Sequence, residues 1–255
     1  MSADHQRLNE KQLKAPTTRF DRIFTRFLSW VEEKNVNHSK VGNPPIYDKN
    51  LFPWTQTIEK EWKTIKGELD VILKRRDELQ SFHEVSSEVE TITKDDQWKT
   101  FFLMGYGVRV EENCRQCPET ARIVESIPGL KTAMFSILSP GKHIPAHRGP
   151  YNGVLRYHLG LIVPEPADQC RIRIGEEYHV WQQGEGIVFD DCFNHEVWNE
   201  TDGYRVVLFV DFERPINFPA KLLNKFVLRA SVLTPYIREA NDSQLKWAKK
   251  FYGKN

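Results

Sequence analysis

The stretch from residue 132 to 212 limits the fold more than any other part of the chain. It is a succession of short apolar or alternating runs, TAMFSIL, GVLRYHLGLIV, CRIRI, YHVW, GIVF and YRVVLFVDF. They are rich in β-branched and aromatic residues and are separated by Gly, Pro or Asp turns. Strands this closely spaced, with no helices between them, indicate an antiparallel sandwich or barrel. Helical periodicity brackets them. Residues 19–34 place Phe20, Ile23, Phe24, Phe27, Leu28 and Val31 at helical spacing, and Gly42-Asn43-Pro44-Pro45 breaks the chain into a loop. Residues 57–79 read as one long helix with Ile58, Trp62, Ile65, Leu69, Ile72 and Leu73 on one side. A short helix is expected at 117–126, ended by Pro128-Gly129, and two more after Pro215, around 221–229 and 243–251.

The expected organisation is a flexible tail over residues 1–18 followed by a single domain over 19–255. Within that domain, 19–98 is helical, 99–215 forms the β core and 216–255 returns to helix. A chain of 255 residues with 40% apolar content can bury a substantial core. Its 36 Lys and Arg nearly balance its 35 Asp and Glu, so no bulk charge draws it to nucleic acid or to an anionic membrane. The longest apolar run, around 206–210, is far too short for an integral membrane segment. The polar N-terminus lacks the apolar stretch of a secretory signal. Four cysteines are too few for a disulfide scaffold; the Cys114/Cys117 pair lacks a second CxxC and reads as structural or incidental thiols. A cytoplasmic location is the expectation.

Five of eight histidines fall in the β region: His143, His147, His158, His179 and His195. His147 precedes Arg148-Gly149-Pro150 on a rim loop, and His195 follows a Gly-turn-strand unit and a short acidic loop. Two such histidines from different strands can converge at the mouth of a small barrel. Neutral imidazole is a good iron ligand that leaves open coordination positions. Spacing alone also fits two ordinary polar loop residues. Alternation puts Arg156 and His158 on one strand face, opposite Leu155, Tyr157 and Leu159. That face either lines a polar interior, where a small dicarboxylate would pair the arginine, or meets solvent. Arg205 either simply opens the apolar strand 206–210 or is carried by it into the cavity, as a guanidinium for a carboxylate.

Four motifs in register then resemble the aspartyl/asparaginyl β-hydroxylase family. They are His147-Arg148-Gly149-Pro150, Leu155-Arg156-Tyr157-His158-Leu159-Gly160-Leu161, the run from Phe189 through Asp190, Asp191 and His195 to Trp198, and Tyr204-Arg205. The similarity spans about residues 98–215. It implies a double-stranded β-helix, a jelly-roll barrel of the cupin-like kind, and a dioxygenase dependent on Fe(II), 2-oxoglutarate and O2. His147 and His195 match the iron ligands, Arg205 the residue that grips the far carboxylate of 2-oxoglutarate, and Ser136, Arg156 and His158 positions around it. Trp98 resembles a further contact from the segment before the barrel. Most such oxygenases carry a carboxylate two residues beyond the first histidine. Gly149 stands there, as in the aspartyl/asparaginyl branch and unlike the lipid A hydroxylase branch, so two protein ligands to iron are expected. Asp190 or Asp191 could contribute a ligand instead, but capping the turn before His195 is the expected role.

The resemblance implies hydroxylation of an unactivated carbon, first of all β-hydroxylation of an Asp/Asn-type residue or amino-acid-like substrate, so that a peptide or other small polar molecule is the expected partner. Hydroxylation of a lipid acyl chain is the alternative, as is a non-catalytic metal-binding jelly roll. The latter predicts loss of a histidine or of the arginine, yet His147, His195 and Arg205 are all present. Tyr106, Arg148, Tyr151 and Asn152 lie close to the motifs as candidate substrate contacts, with Arg148 read as an outward rim charge. A helical interaction module built on 57–79 is a third class; a helix packed on the barrel explains that pattern more simply.

Overall fold

The order in which the strands pair decides the architecture. The structure is a computed structural model and describes residues 19–85, 89–232 and 234–253; the expected tail over 1–18 lies outside them. Four strands come first: β1 (Ile46–Tyr47), β2 (Gln80–Ser81), β3 (Trp98–Gly105) and β4 (Val108–Arg109). Eight follow: β5 (Leu130–Leu138), β6 (His143–His147), β7 (Val154–Ile162), β8 (Cys170–Ile174), β9 (Glu177–Val180), β10 (Gly186–Phe189), β11 (His195–Asn199) and β12 (Arg205–Glu213). The larger sheet runs β1-β10-β7-β12-β5-β3-β2, with β4 on β3, and the smaller runs β6-β11-β8-β9. From β5 onward the chain changes sheet at every connection except β8 to β9. This back-and-forth winding of antiparallel strands is the jelly roll. The protein is thus mainly β with flanking helices. Among the described residues no pairing joins the two sheets, so the jelly roll is a sandwich rather than a closed barrel.

Alternation along β7 and β12 splits the interior into two cores. Leu155, Tyr157, Leu159 and Leu161 with Val206, Leu208 and Val210 form the outer one. Ile187, Phe189, Val207 and Phe209 join Ile144, Ile172 and Val197 of the smaller sheet in the inner one. The helices are α1 (Arg19–Asn37), α2 (Trp54–Lys60), α3 (Trp62–Leu73), α4 (Glu111–Gln116), α5 (Pro118–Glu125), α6 (Ala220–Ser231) and α7 (Pro235–Tyr252). The buried Ile65, Leu69 and Ile72 of α3 cover the outer core.

Residues 57–79 are not one helix. The chain leaves helical geometry at Glu61 (φ −92°, ψ 8°) and α3 ends at Leu73, before a single 3-10 turn at Arg76–Glu78. Tertiary contacts override the continuous periodicity here. Trp54 at the start of α2 meets Tyr157 and Phe212 edge-on at 5.2 and 4.9 Å between ring centres. The Glu59 carboxylate accepts the Gly186 N–H at 2.8 Å. Those two anchors tie α2 to the sheet just ahead of the break at Glu61. At the other end, α7 starts eight residues before the expected 243, with Pro235 in its first turn, where the missing N–H costs nothing.

Candidate metal centre

Cross-strand neighbours point to the same side of a sheet, and that rule gathers the polar lining of the inner face. Trp98 lies opposite Leu138, which lies opposite Arg205; Phe209 lies opposite His158, and Asp211 opposite Arg156. The smaller sheet supplies His147 and His195, which are direct partners on β6 and β11. Trp98, Ser136, His147, Arg156, His158, His195 and Arg205 therefore line one cavity, together with Ile144, Ile172, Phe189, Val197 and Phe209.

The rings of His147 and His195 are 4.1 Å apart centre to centre. Nδ1 of His147 lies 2.8 Å from the Pro145 carbonyl, and Nδ1 of His195 3.0 Å from that of Phe193. A carbonyl only accepts, so each Nδ1 carries the proton and each Nε2 keeps a lone pair for a metal. Burial lowers the pKa of His147 to about 4, and burial followed by its neighbour His147 holds His195 well below the ordinary range. Both imidazoles are neutral at pH 7 and chemically able to ligate.

Across the cavity, Arg205 is 2% exposed, and neither its Nε nor its Nη1 has a hydrogen-bond partner among the described residues. Its guanidinium carbon sits 4.6 Å from the centre of the Trp181 ring, and burial lowers its pKa to about 10, which leaves it a cation at pH 7. An isolated buried charge is expensive, so this arginine calls for an anion from outside the chain. Both ring nitrogens of His158 are likewise buried without a partner. Burial, then Arg205, keep that imidazole neutral. Trp98 Nε1 donates to Ser136 Oγ at 3.0 Å.

Arg156 is different. Its Nε meets Asp211 Oδ1 at 2.9 Å and its Nη2 meets Asp191 Oδ2 at 2.9 Å. Two carboxylates of the chain supply the pairing that a bound dicarboxylate would otherwise provide. Sequence spacing did not single out Asp211, because it sits at an apolar strand's far end and gains meaning only opposite Arg156.

Side-chain atoms of Asp190, Asp191 and Cys192 lie within 4.8 Å of one another, yet they make a poor metal site. Asp190 is ion-paired with Arg214 and Asp191 with Arg156, and burial pushes the Cys192 thiol far up. Asp190 Oδ1 caps the turn by accepting the Cys192 N–H at 3.0 Å. Asp191, whose carboxyl burial raises to about 6, also explains Gly149. A Cβ at 149 would lie 2.2 Å from Asp191 Oδ2. A carboxylate at 149 has no room, so Gly149→Asp is expected to lower stability by about 1–3 kcal/mol without tightening iron binding. Thermal melts and metal titration check this; an unchanged melt with tighter iron would refute it.

The remaining candidates separate. Arg148 is half-buried and paired with Glu32 of α1 at 3.2 Å, not an outward rim charge. Asn152 is buried, accepting from Asn35 and donating to the Glu32 carbonyl, so it ties α1 to the sheet instead of facing a substrate. Tyr106 and Tyr151 line a second cavity of about 120 Å³, which shares Arg156 and Phe209 with the histidine cavity. Its other walls are mostly apolar, among them Phe82, Val85, Phe102, Met134, Ile237 and Ala240. Its parts come from opposite ends of the chain, so no local pattern announced it. Cys114 and Cys117 are buried free thiols, Cys114 pushed up to about 11 by burial.

Fold and site together define a jelly-roll protein with two neutral histidines across a cavity from a buried arginine whose Nε and Nη1 have no hydrogen-bond partner among the described residues. The profile described as Aspartyl/Asparaginyl beta-hydroxylase matches residues 59–215, and the chain belongs to that family, a family of hydroxylases. It is 51% identical over 231 residues to an ornithine lipid ester-linked acyl 2-hydroxylase of Rhizobium tropici, covering 91% of this chain and 82% of that protein. It is 33% identical over 207 residues to the human aspartyl/asparaginyl beta-hydroxylase, covering 73% of this chain but only 26% of that much longer protein. A Pseudomonas putida prolyl-4-hydroxylase structure aligns with 73% of this chain and 98% of its own at a TM-score of 0.40 and 18% identity, a likeness too slight to argue from. No helix of the described residues is long and apolar enough to cross a membrane.

Proposed function

We propose that this hydroxylase works with iron(II), 2-oxoglutarate and dioxygen, and that its target carbon lies on the acyl chain of a polar lipid. The residues fit the metal and co-substrate: two neutral imidazoles with free Nε2 atoms, and a buried arginine that lacks an anion. Iron(II) with 2-oxoglutarate and dioxygen supplies the oxidising power to hydroxylate an unactivated carbon, leaving succinate and carbon dioxide. His147 and His195 would hold the metal. Arg205 would grip the far carboxylate of the keto acid, with Ser136, Trp98 and His158 fixing its orientation. Arg156, held by its two aspartates, forms the wall against the substrate. The inner apolar core keeps bulk water away.

The observation that carries the acyl reading is the apolar cavity sharing Arg156 and Phe209 with the histidine cavity. An acyl chain matches Phe82, Val85, Phe102 and Met134. The carboxylates in that cavity, Asp191 and Asp211, would repel an acidic side chain, which disfavours an aspartyl substrate. The similarity to the ornithine lipid enzyme points the same way.

Succinate release with iron(II) and ascorbate tests this, using detergent-dispersed acylated polar lipids against Asp- and Asn-containing peptides. Lipid-stimulated turnover that adds one oxygen to the acyl chain and vanishes in His195→Ala is the expected result. Turnover on peptides alone would overturn the acyl assignment, and iron binding without turnover on either would favour a non-catalytic protein. Ala240→Phe, which fills the apolar cavity, is expected to lower kcat/KM by about tenfold or more for long chains and less for short ones.

A further inference from the structure

The outward face of α6 has a composition that a protein in contact only with water does not need. Its inner side is buried through Ala220, Asn224, Val227 and Leu228. On the opposite side Leu222 is 59% and Phe226 63% exposed, and Phe218 in the preceding turn is 74% exposed. These three are spaced by four residues and form one apolar row. Lys221, Lys225 and Arg229 form a second row of the same spacing beside it, and no acidic residue occurs anywhere from 214 to 238. Single exposed apolar side chains are ordinary; an aligned row rimmed by cations of one sign is not.

We infer that this face docks on an anionic phospholipid bilayer, with Phe218, Leu222 and Phe226 entering the interface and Lys221, Lys225 and Arg229 meeting the headgroup phosphates. Charge decides between occupants. The chain as a whole is near neutral, with 36 basic against 35 acidic residues, so an uninterrupted cationic stretch is a local property that complements an anionic surface. Basic residues flanking bulky apolar ones is the pattern of a helix lying in the plane of a membrane interface. Position agrees. Tyr151, which lines the apolar cavity, donates to Asn224 of α6 at 2.8 Å, so the helix that carries the docking face is hydrogen-bonded to the cavity wall. α1, which packs against α6, adds the exposed Ile23 and Trp30. The inference extends the acyl reading to how a membrane-borne substrate is reached, but its test does not depend on turnover.

The full chain would be sedimented with vesicles of phosphatidylcholine alone and of an equimolar mixture with phosphatidylglycerol. Binding to the mixed vesicles, weakened by salt and little seen on phosphatidylcholine, is expected. Leu222→Ser/Phe226→Ser and, separately, Lys221→Glu/Arg229→Glu should each weaken it roughly tenfold or more. Both variants alter exposed side chains, so unchanged melting temperature and unchanged turnover of a detergent-dispersed substrate are expected alongside. No binding by the unaltered protein, or binding untouched by both variants, overturns the inference. So does a dimer in sedimentation equilibrium that Leu222→Ser/Phe226→Ser dissolves, which would assign the face to a second copy. If vesicles bind through this face while no lipid is ever hydroxylated, the acyl assignment fails and the docking surface stands.

Discussion

Arg205→Met should make the co-substrate-free protein more stable and at the same time remove its affinity for 2-oxoglutarate. The two effects have one cause. The guanidinium is buried, its Nε and Nη1 lack hydrogen-bond partners among the described residues, and the Trp181 ring lies against it. Methionine keeps much of the packing and removes the uncompensated cation, a change expected to add about 1–4 kcal/mol, or several degrees of melting temperature at this chain length. Saturating 2-oxoglutarate shifts the balance back towards the unaltered protein. Ligand at about a hundred times its Kd stabilises the unaltered protein by about 2.7 kcal/mol, and Arg205→Met gains nothing. Differential scanning fluorimetry with and without the keto acid reads both signs. A variant that melts lower and still responds to 2-oxoglutarate would remove the arginine from the site.

Asp190→Ala should be among the most damaging single changes outside the cavity, costing about 3–5 kcal/mol. Asp190 and Arg214 are ion-paired with both side chains fully buried. Arg214 also donates to the Asn152 carbonyl at 2.7 Å and to the Tyr47 hydroxyl at 2.9 Å, which joins β1, the β6–β7 loop and the end of β12. Removing the carboxylate strands a cation among these groups and deletes the cap on the turn into β11. Asp190→Leu with Arg214→Met, which removes both charges, should cost far less than the sum of the singles. Urea denaturation midpoints decide, and a single-variant loss under about 1 kcal/mol would show that water reaches the arginine.

The strands and the cavity's polar lining were legible because both depend on period-two alternation, a local property. Leu155, Tyr157 and Leu159 on one face and Arg156 and His158 on the other follow from β7 being a strand. What alternation cannot say is whom a polar side chain meets. Asp211 and Asp191 reach Arg156 from 55 and 35 positions away along the chain, and Glu32 reaches Arg148 from 116 positions away. The break at Glu61 was hidden for a related reason: helical periodicity runs through it, while the anchors of Trp54 on Tyr157 and Phe212 and of Glu59 on Gly186 join positions far apart in the chain. The apolar cavity was least visible. Its walls come from β3, β5, β12 and α7, and no single segment carries its signature.

His147 and His195 face each other as direct partners of one ladder, so the gap between their Nε2 atoms is governed by interstrand spacing more than by the length of any loop. Helices, turns and cavity walls can be exchanged around that rung without moving the donors. A scaffold of this kind can change what it accepts as substrate while leaving the histidine pair untouched.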